Sequence, residues 1–265
     1  MLKNRKKIIK SKPPLTDKTI KKIHESALRL VREQVKKHSL GRLVFLAFIG
    51  TRPWGIAQEN VDCDYRGVYS VKSRDKNYIS EVYINNHAKD ITMADFKDFV
   101  KSIFNSRIHS LITINSPVIY ISKEFLQFKK WVNSNFSKQI YQTCRTKPHG
   151  PGYRKDYLYD FFFIGNGIAI LERKKVIANL PELNKKVLKI PAIDKIIEEE
   201  RKNLPFGTEI LAEKIFKQLK ARLEKANKKS SLPEKMNEEK LSKLKIFNKI
   251  TFNFWHWPKG SRGTV

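Results

Sequence analysis

The stretch Gly50 to Val71, GTRPWGIAQENVDCDYRGVYSV, constrains this chain more than any other. An unbroken apolar run, Leu43 to Ile49, leads straight into Gly50-Thr51. Because the run does not alternate, it predicts a strand buried on both faces. A short-helix spacer follows, with Pro53 suited to a first helical turn. Asp62 and Asp64 then open a second strand-like run, Tyr65 to Val71. Strand, tight turn, short helix and a returning strand define a small sheet whose edge carries acids.

Two acids one residue apart on a strand project to the same face. With a third carboxylate from a neighbouring strand they could hold one or two divalent cations. Asp90, just before a helix expected from Thr92, is favoured for that third position over Glu81, which sits mid-strand. Asp95 and Asp98 fall on the helix, where a solvated role is the default. Gly50-Thr51, at the end of a strand, could offer backbone N–H groups and the Thr51 hydroxyl to the phosphates of a nucleotide, with Arg52 adding a cation. Alone, an Asp-x-Asp is weak, since surface strands often alternate acids. An ordinary turn does not explain why two acids return to the same sheet edge.

Charge narrows the choice of partner. The net charge is +28 at pH 7, far beyond what solubility requires. It predicts attraction to a polyanion, nucleic acid ahead of an anionic membrane surface, with codon bias toward lysine as the bland alternative explanation of the charge. With 40% apolar and 30% charged residues, most of the chain is expected to fold. Cys63 and Cys144 make neither a disulfide framework nor a zinc site, and a reducing compartment fits. Cys63, between the two aspartates, should turn to the opposite, buried face. No apolar run reaches the ~20 residues of a membrane helix, and no signal-peptide core is seen. The expectation is a cytoplasmic protein, with the mitochondrial matrix as the second choice.

The rest of the chain divides as follows. Residues 1–15 read as a flexible basic arm. Thr16 or Asp17 caps a helix to about Lys37, with Ile20, Ile23, Ala27, Leu28, Leu30 and Val31 on its apolar face and lysines and arginines on the other. Tyr78 to Ile84 alternates as a half-buried strand, and His87 to Ile91 is a third strand or its end. Helices are expected from Thr92 to Phe104 and over 105–115, then a strand, Val118 to Ile121, then a helix from Lys123 to Phe136 capped by Ser122. A second region follows: helices over Gln139 to Lys147, Tyr153 to Lys175, Ala192 to Lys202 and Glu209 to Asn227, with Lys185 to Ile190 extended. Residues 231–265 form a basic, aromatic tail.

With those residues in view, Gly50 to Val68 resembles a signature of the polymerase-β-like nucleotidyltransferase superfamily. It is most similar to the predicted nucleotidyltransferases associated with RNA repair, whose pattern is G-S-R-A-W-G-x-A, four residues, D-x-D-x-R-G-V/I. Thr51 keeps the hydroxyl of the usual Ser, while Pro53 and Val61 depart from the pattern. Asp90 matches a family aspartate on a strand before a helix. Family members then carry an Asn-Pro turn, where this chain has Asn105-Ser106, and a Ser-Pro, retained as Ser116-Pro117. A family lysine aligns with Lys155, a phosphate contact. The family's His and Arg are replaced by Tyr159-Asp160-Phe161.

The resemblance implies an α+β fold: a polymerase-β-like palm, a small mixed sheet with helices on one face, over residues 16–136, followed by a mainly helical domain over 137–230. It implies metal-dependent transfer of a nucleoside monophosphate from an NTP, with Mg²⁺ or Mn²⁺ on Asp62, Asp64 and Asp90. Gly50, Thr51, Arg52 and Lys155 would hold the nucleotide. Basicity favours an RNA acceptor. An alternative is a catalytically idle protein of the same fold, acting as an RNA-binding component of a ribonucleoprotein; a third reading transfers the nucleotide to a protein partner. His24, His87, His109, His149 and His256 are scattered without ligand spacing, and surface or core roles are their default. The aromatic residues 254–257 are a candidate for base stacking.

Overall fold

The computed structural model describes residues 16–37, 41–57, 62–71, 81–86, 89–145, 153–205 and 207–237. The basic arm, His87, His149 and the aromatic cluster at 254–257 lie outside the described residues. The architecture is a five-stranded sheet packed with helices, which makes the fold a mixture of α and β.

The strands are β1 (Arg42–Ile49), β2 (Cys63–Ser70), β3 (Glu81–Asn86), β4 (Lys89–Asp95) and β5 (Val118–Ile121), in the order β3-β4-β2-β1-β5. β2 and β4 run parallel; the other neighbouring pairs are antiparallel, so the sheet is mixed. β1 is buried along nearly its whole length, as its unbroken apolar run requires. Asn85 and Asn86 extend β3 beyond the expected end at Ile84.

Helices cover both faces, not one. α1 (Asp17–Lys37) packs Ala27, Val31 and Val35 onto Leu46, Phe48, Cys63, Tyr65, Ile91 and Met93. Thr16 caps it through a bond from the Thr19 amide, and His24 Nδ1 lies 2.7 Å from the Tyr65 hydroxyl. The reason for the correction lies in the sheet itself: odd positions of β2 and β4 (Cys63, Tyr65, Ile91, Met93) are apolar and need their own cover. α1 supplies it while its lysines stay exposed.

On the opposite face lie α2 (Phe96–Phe104), α3 (Ile108–Asn115), α4 (Lys123–Ser134), α5 (Ile140–Cys144), α6 (Arg154–Arg173), α7 (Leu180–Leu183), α8 (Pro191–Arg201) and α9 (Glu209–Lys229). α2 begins four residues after the expected Thr92. Residues 89–95 stay in register with β2, so the ladder already satisfies the backbone that a helix would have claimed. Met93 fits both periods, which is how the sequence pattern misleads. Residues 185–190 are not extended either. Asn184–Leu188 form a π-helical turn closed by the Lys189 amide on the Asn184 carbonyl at 2.7 Å. The Asn184 side chain pairs with both the N–H and C=O of Ile190, holding this turn against α8. Of the helix predicted over Gln139 to Lys147, the described residues form α5, while residues 146 and 147 lie outside them; Ser122 caps α4 as expected, accepting from the Phe125 amide.

α6 is the axis of this face. From Tyr157 to Leu171 nearly every residue is buried, and it packs most extensively on α9. One apolar core runs from Val44 in β1 through α6 to Met236. Among the described residues no helix is long and apolar enough to cross a membrane.

Candidate active site

Strand alternation decides where the acids point. Odd residues of β2 enter the core beneath α1, and Cys63 among them is fully buried, as expected. Even residues Asp64, Arg66 and Val68 therefore project toward α6. β4 obeys the same rule, so Asp90 shares that face, and the parallel register sets Asp64 directly beside Asp90. Two carboxylates thus meet on the two central parallel strands, each half-buried. Asp62 sits one residue before β2 begins and is exposed.

The turn after β1 closes on the same spot. Gly50 has φ +84, and a Cβ there would overlap the Asp64 carboxylate. Glycine is required twice over, by conformation and by space. Residues 51–55 form a turn rather than the expected short helix. The Trp54 amide bonds Gly50 O, Gly55 bonds Arg52 O, and Ile56 and Ala57 both bond Thr51 O. Those four N–H groups are satisfied within the turn; the expected phosphate contacts fall instead on Gly50, Thr51 and Arg52, at its start. Thr51 is buried, and Arg52 is close enough to Cys63 for its charge to oppose the upward pull of burial on that thiol.

Trp54 fastens this turn to the helical face. Its ring meets Phe162 at 5.1 Å, Tyr159 at 5.9 Å and Phe163 at 6.0 Å, all on α6. Backbone bonds reinforce it: the Leu180 amide donates to Trp54 O, Asn179 Nδ2 to Pro53 O, and Arg201 to Gly55 O. The signature's tryptophan is therefore a packing anchor that fixes the distance between turn and helix.

Lys155, in the first turn of α6, reaches Asp64 electrostatically and lies 5.7 Å from the Tyr159 ring. Asp64 is pushed up to about 6: burial comes first, then repulsion from Asp90, with Lys155 opposing and Asp62 adding a smaller push. Tyr159 is raised to about 12, by burial and then by the Asp64 charge. The arrangement brings Asp64, Asp90, Gly50 and Lys155 together, with Asp62 at the rim. Tyr159 belongs to the same wall. Its place in the pattern, where the family carries His and Arg, was the available signal for it.

Among the described residues no three His, Cys, Asp or Glu side chains converge closely enough to hold a metal. Asp64 and Asp90 nonetheless have the donor chemistry that a hard divalent cation prefers. Their mutual repulsion, seen in the raised Asp64 carboxyl, is what such a cation would relieve.

No family model matches the chain, and no curated protein matches it. Among solved structures the chain is similar to the nucleotidyltransferase-like protein from Exiguobacterium sibiricum 255-15, at 13% identity over 74% of this chain and 73% of that one, with a TM-score of 0.29. A likeness of that size carries no argument about chemistry.

Proposed function

We propose that this chain is a metal-dependent nucleotidyltransferase that moves a nucleoside monophosphate from an NTP to an RNA acceptor. The observation that carries the reading is the side-by-side placement of Asp64 and Asp90 on parallel strands, with Gly50 closed against Asp64 and Lys155 opposite. In the reaction the acceptor hydroxyl oxygen bonds to the α-phosphorus as the α–β phosphoanhydride breaks. Pyrophosphate leaves, and the hydroxyl proton passes to the acid pair. Mg²⁺ or Mn²⁺ held by Asp64 and Asp90, with Asp62 at the rim, would neutralise phosphate charge and acidify the attacking hydroxyl. Lys155 gives the leaving pyrophosphate a counter-charge, and Thr51 and Arg52, in the turn after β1, would contact the nucleotide's phosphates. The +28 charge supports a polyanionic acceptor.

One observation favours a second reading, in which the same fold binds RNA without chemistry: the three aspartates do not converge into a metal-holding group among the described residues. Incubation with Mg²⁺ or Mn²⁺, labelled NTPs and bulk RNA separates the two. Label is expected on RNA, reduced about 10³-fold or more in Asp64→Asn/Asp90→Asn. No label on RNA, with RNA binding intact in the double variant, establishes the second reading. Label on a protein would instead move the acceptor to a side chain.

A further inference from the structure

A second concavity opens at the far end of the aromatic row on α6. Tyr159 stacks on Phe163 at 6.1 Å and 9°, and Phe163 in turn meets the His109 ring at 4.3 Å. Phe163 follows Lys155 by two helical turns, about 12 Å at 1.5 Å per residue. There a pocket of about 430 Å³ is bounded by Asn105, Arg107, His109, Gln139, Thr143 and Phe163, among others. Among the described residues that line it, none is acidic. Its volume lies within the ~300–1,000 Å³ usual for small-molecule sites.

The pocket's rim is built, not incidental. Ser106 takes φ +50, and its hydroxyl meets the Ser137 hydroxyl at 3.1 Å inside the core. Its carbonyl accepts from the Thr143 hydroxyl at 2.9 Å. These contacts clamp the α2–α3 turn onto α5 and fix where Asn105 and Arg107 stand. Arg107 is exposed and makes no side-chain ion pair among the described residues. His109, also exposed, sets its ring against Phe163 at a tilt of 52°. A guanidinium suits phosphate oxygens, a supported ring offers a flat base something to stack on, and the Asn105 and Gln139 amides can meet a base edge.

We propose that this pocket is a nucleotide subsite separate from the acid pair, taking one nucleoside phosphate with its phosphate on Arg107 and its base on His109. Its role as the acceptor side of the transfer rests on the function proposed above; the binding itself does not. The occupant's chemistry is the same whether it arrives free or within an RNA strand.

Calorimetric titration of the full chain in EDTA tests this, with adenosine 5′-monophosphate, inorganic phosphate and a 5′-phosphorylated RNA pentamer as probes. Both the monophosphate and the pentamer, or either alone, are expected to bind and to weaken about tenfold in Arg107→Ala and again in His109→Ala, while His109→Phe retains affinity. Binding by the monophosphate assigns a free nucleotide as a sufficient occupant; binding by the pentamer alone assigns a strand. Inorganic phosphate should ignore His109→Ala. Asp64→Asn/Asp90→Asn should leave these affinities unchanged. The proposal is overturned if neither nucleotide probe binds, if the Arg107→Ala/His109→Ala variant binds as the wild type does, or if His109→Ala is silent, which would mark a plain anion site. It is also overturned if the acid-pair variant alone abolishes binding, since the nucleotide would then sit at the acid pair. Absence of NTP label transfer sinks the transferase reading and leaves this pocket standing.

Discussion

Asp64 is ionised in the folded chain against a gradient. With its carboxyl raised from 3.8 to about 6 by burial and by Asp90, the folded state binds its proton more tightly than the unfolded state does. The sign follows from linkage: the penalty is absent below about pH 4, grows as pH rises through 6, and is complete above it. For a half-exposed group screened by solvent, it amounts to about 1–2 kcal/mol. Asp64→Asn is therefore expected to melt several degrees higher than the wild type at pH 8 in EDTA, with the difference shrinking toward pH 4. Calorimetry across that range checks it, and a lower melting temperature for the variant at pH 8 would contradict the assignment. A carboxylate kept where it costs stability is characteristic of a site rather than of a surface. Gly50 belongs to the same constraint, because any side chain there would displace the Asp64 carboxylate.

At the scale of elements, regular patterns were legible and special backbone was not. β1 follows from an apolar run, the apolar face of α1 follows from its period, and α6 follows from a long apolar and aromatic run that is buried nearly all round. The start of α2 does not, since Met93 satisfies strand and helix spacing alike and the choice is made by pairing with β2, a partner distant in sequence. The π-helical turn at Asn184–Leu188 depends on one asparagine bonding a residue six positions on, which periodicity cannot reveal. Asp64 and Asp90 could be paired from the motif, but that Lys155 faces them came from resemblance, because α6 arrives from another part of the chain. The α2–α3 turn shows the same limit. Where the family it resembles carries an Asn-Pro turn this chain has Asn105-Ser106, and Ser106 sits at φ +50, a conformation closed to proline. Ser106→Pro would also remove the amide that donates to the Ile103 carbonyl at 2.8 Å, so a loss of about 3 kcal/mol or more is expected. Ser106→Gly keeps the conformation and gives up the contact with the Ser137 hydroxyl, a loss of about 1 kcal/mol. Urea denaturation of the two variants should rank them in that order; equal losses would mean that the left-handed turn is not what the position requires.

Across the whole molecule, the sequence divides at residue 136 and the packing does not. The core that begins at Val44 and Phe45 in β1 passes through Phe125 and Phe128 of α4, enters α6, and continues to Leu219 and Leu223 of α9 without a break. Trp54 contributes from the sheet side while contacting three aromatic rings of α6. Leu232 and Met236, expected in a tail, are buried in the same core, and the Lys138 amide donates to the Pro233 carbonyl at 2.8 Å. An interface between independent domains is usually more polar than their cores, and here the join is as apolar as the interior. The sheet and the helices packed on its α6 face should therefore unfold as one cooperative unit. A calorimetric scan should show a single transition whose van't Hoff and calorimetric enthalpies agree. Trp54→Ala, which removes the aromatic anchor between sheet and α6, should lower that transition by about 3–5 kcal/mol without splitting it. Two resolved transitions in the wild type would instead restore the boundary at residue 136, and would make the acid pair and Lys155 members of separately folding halves.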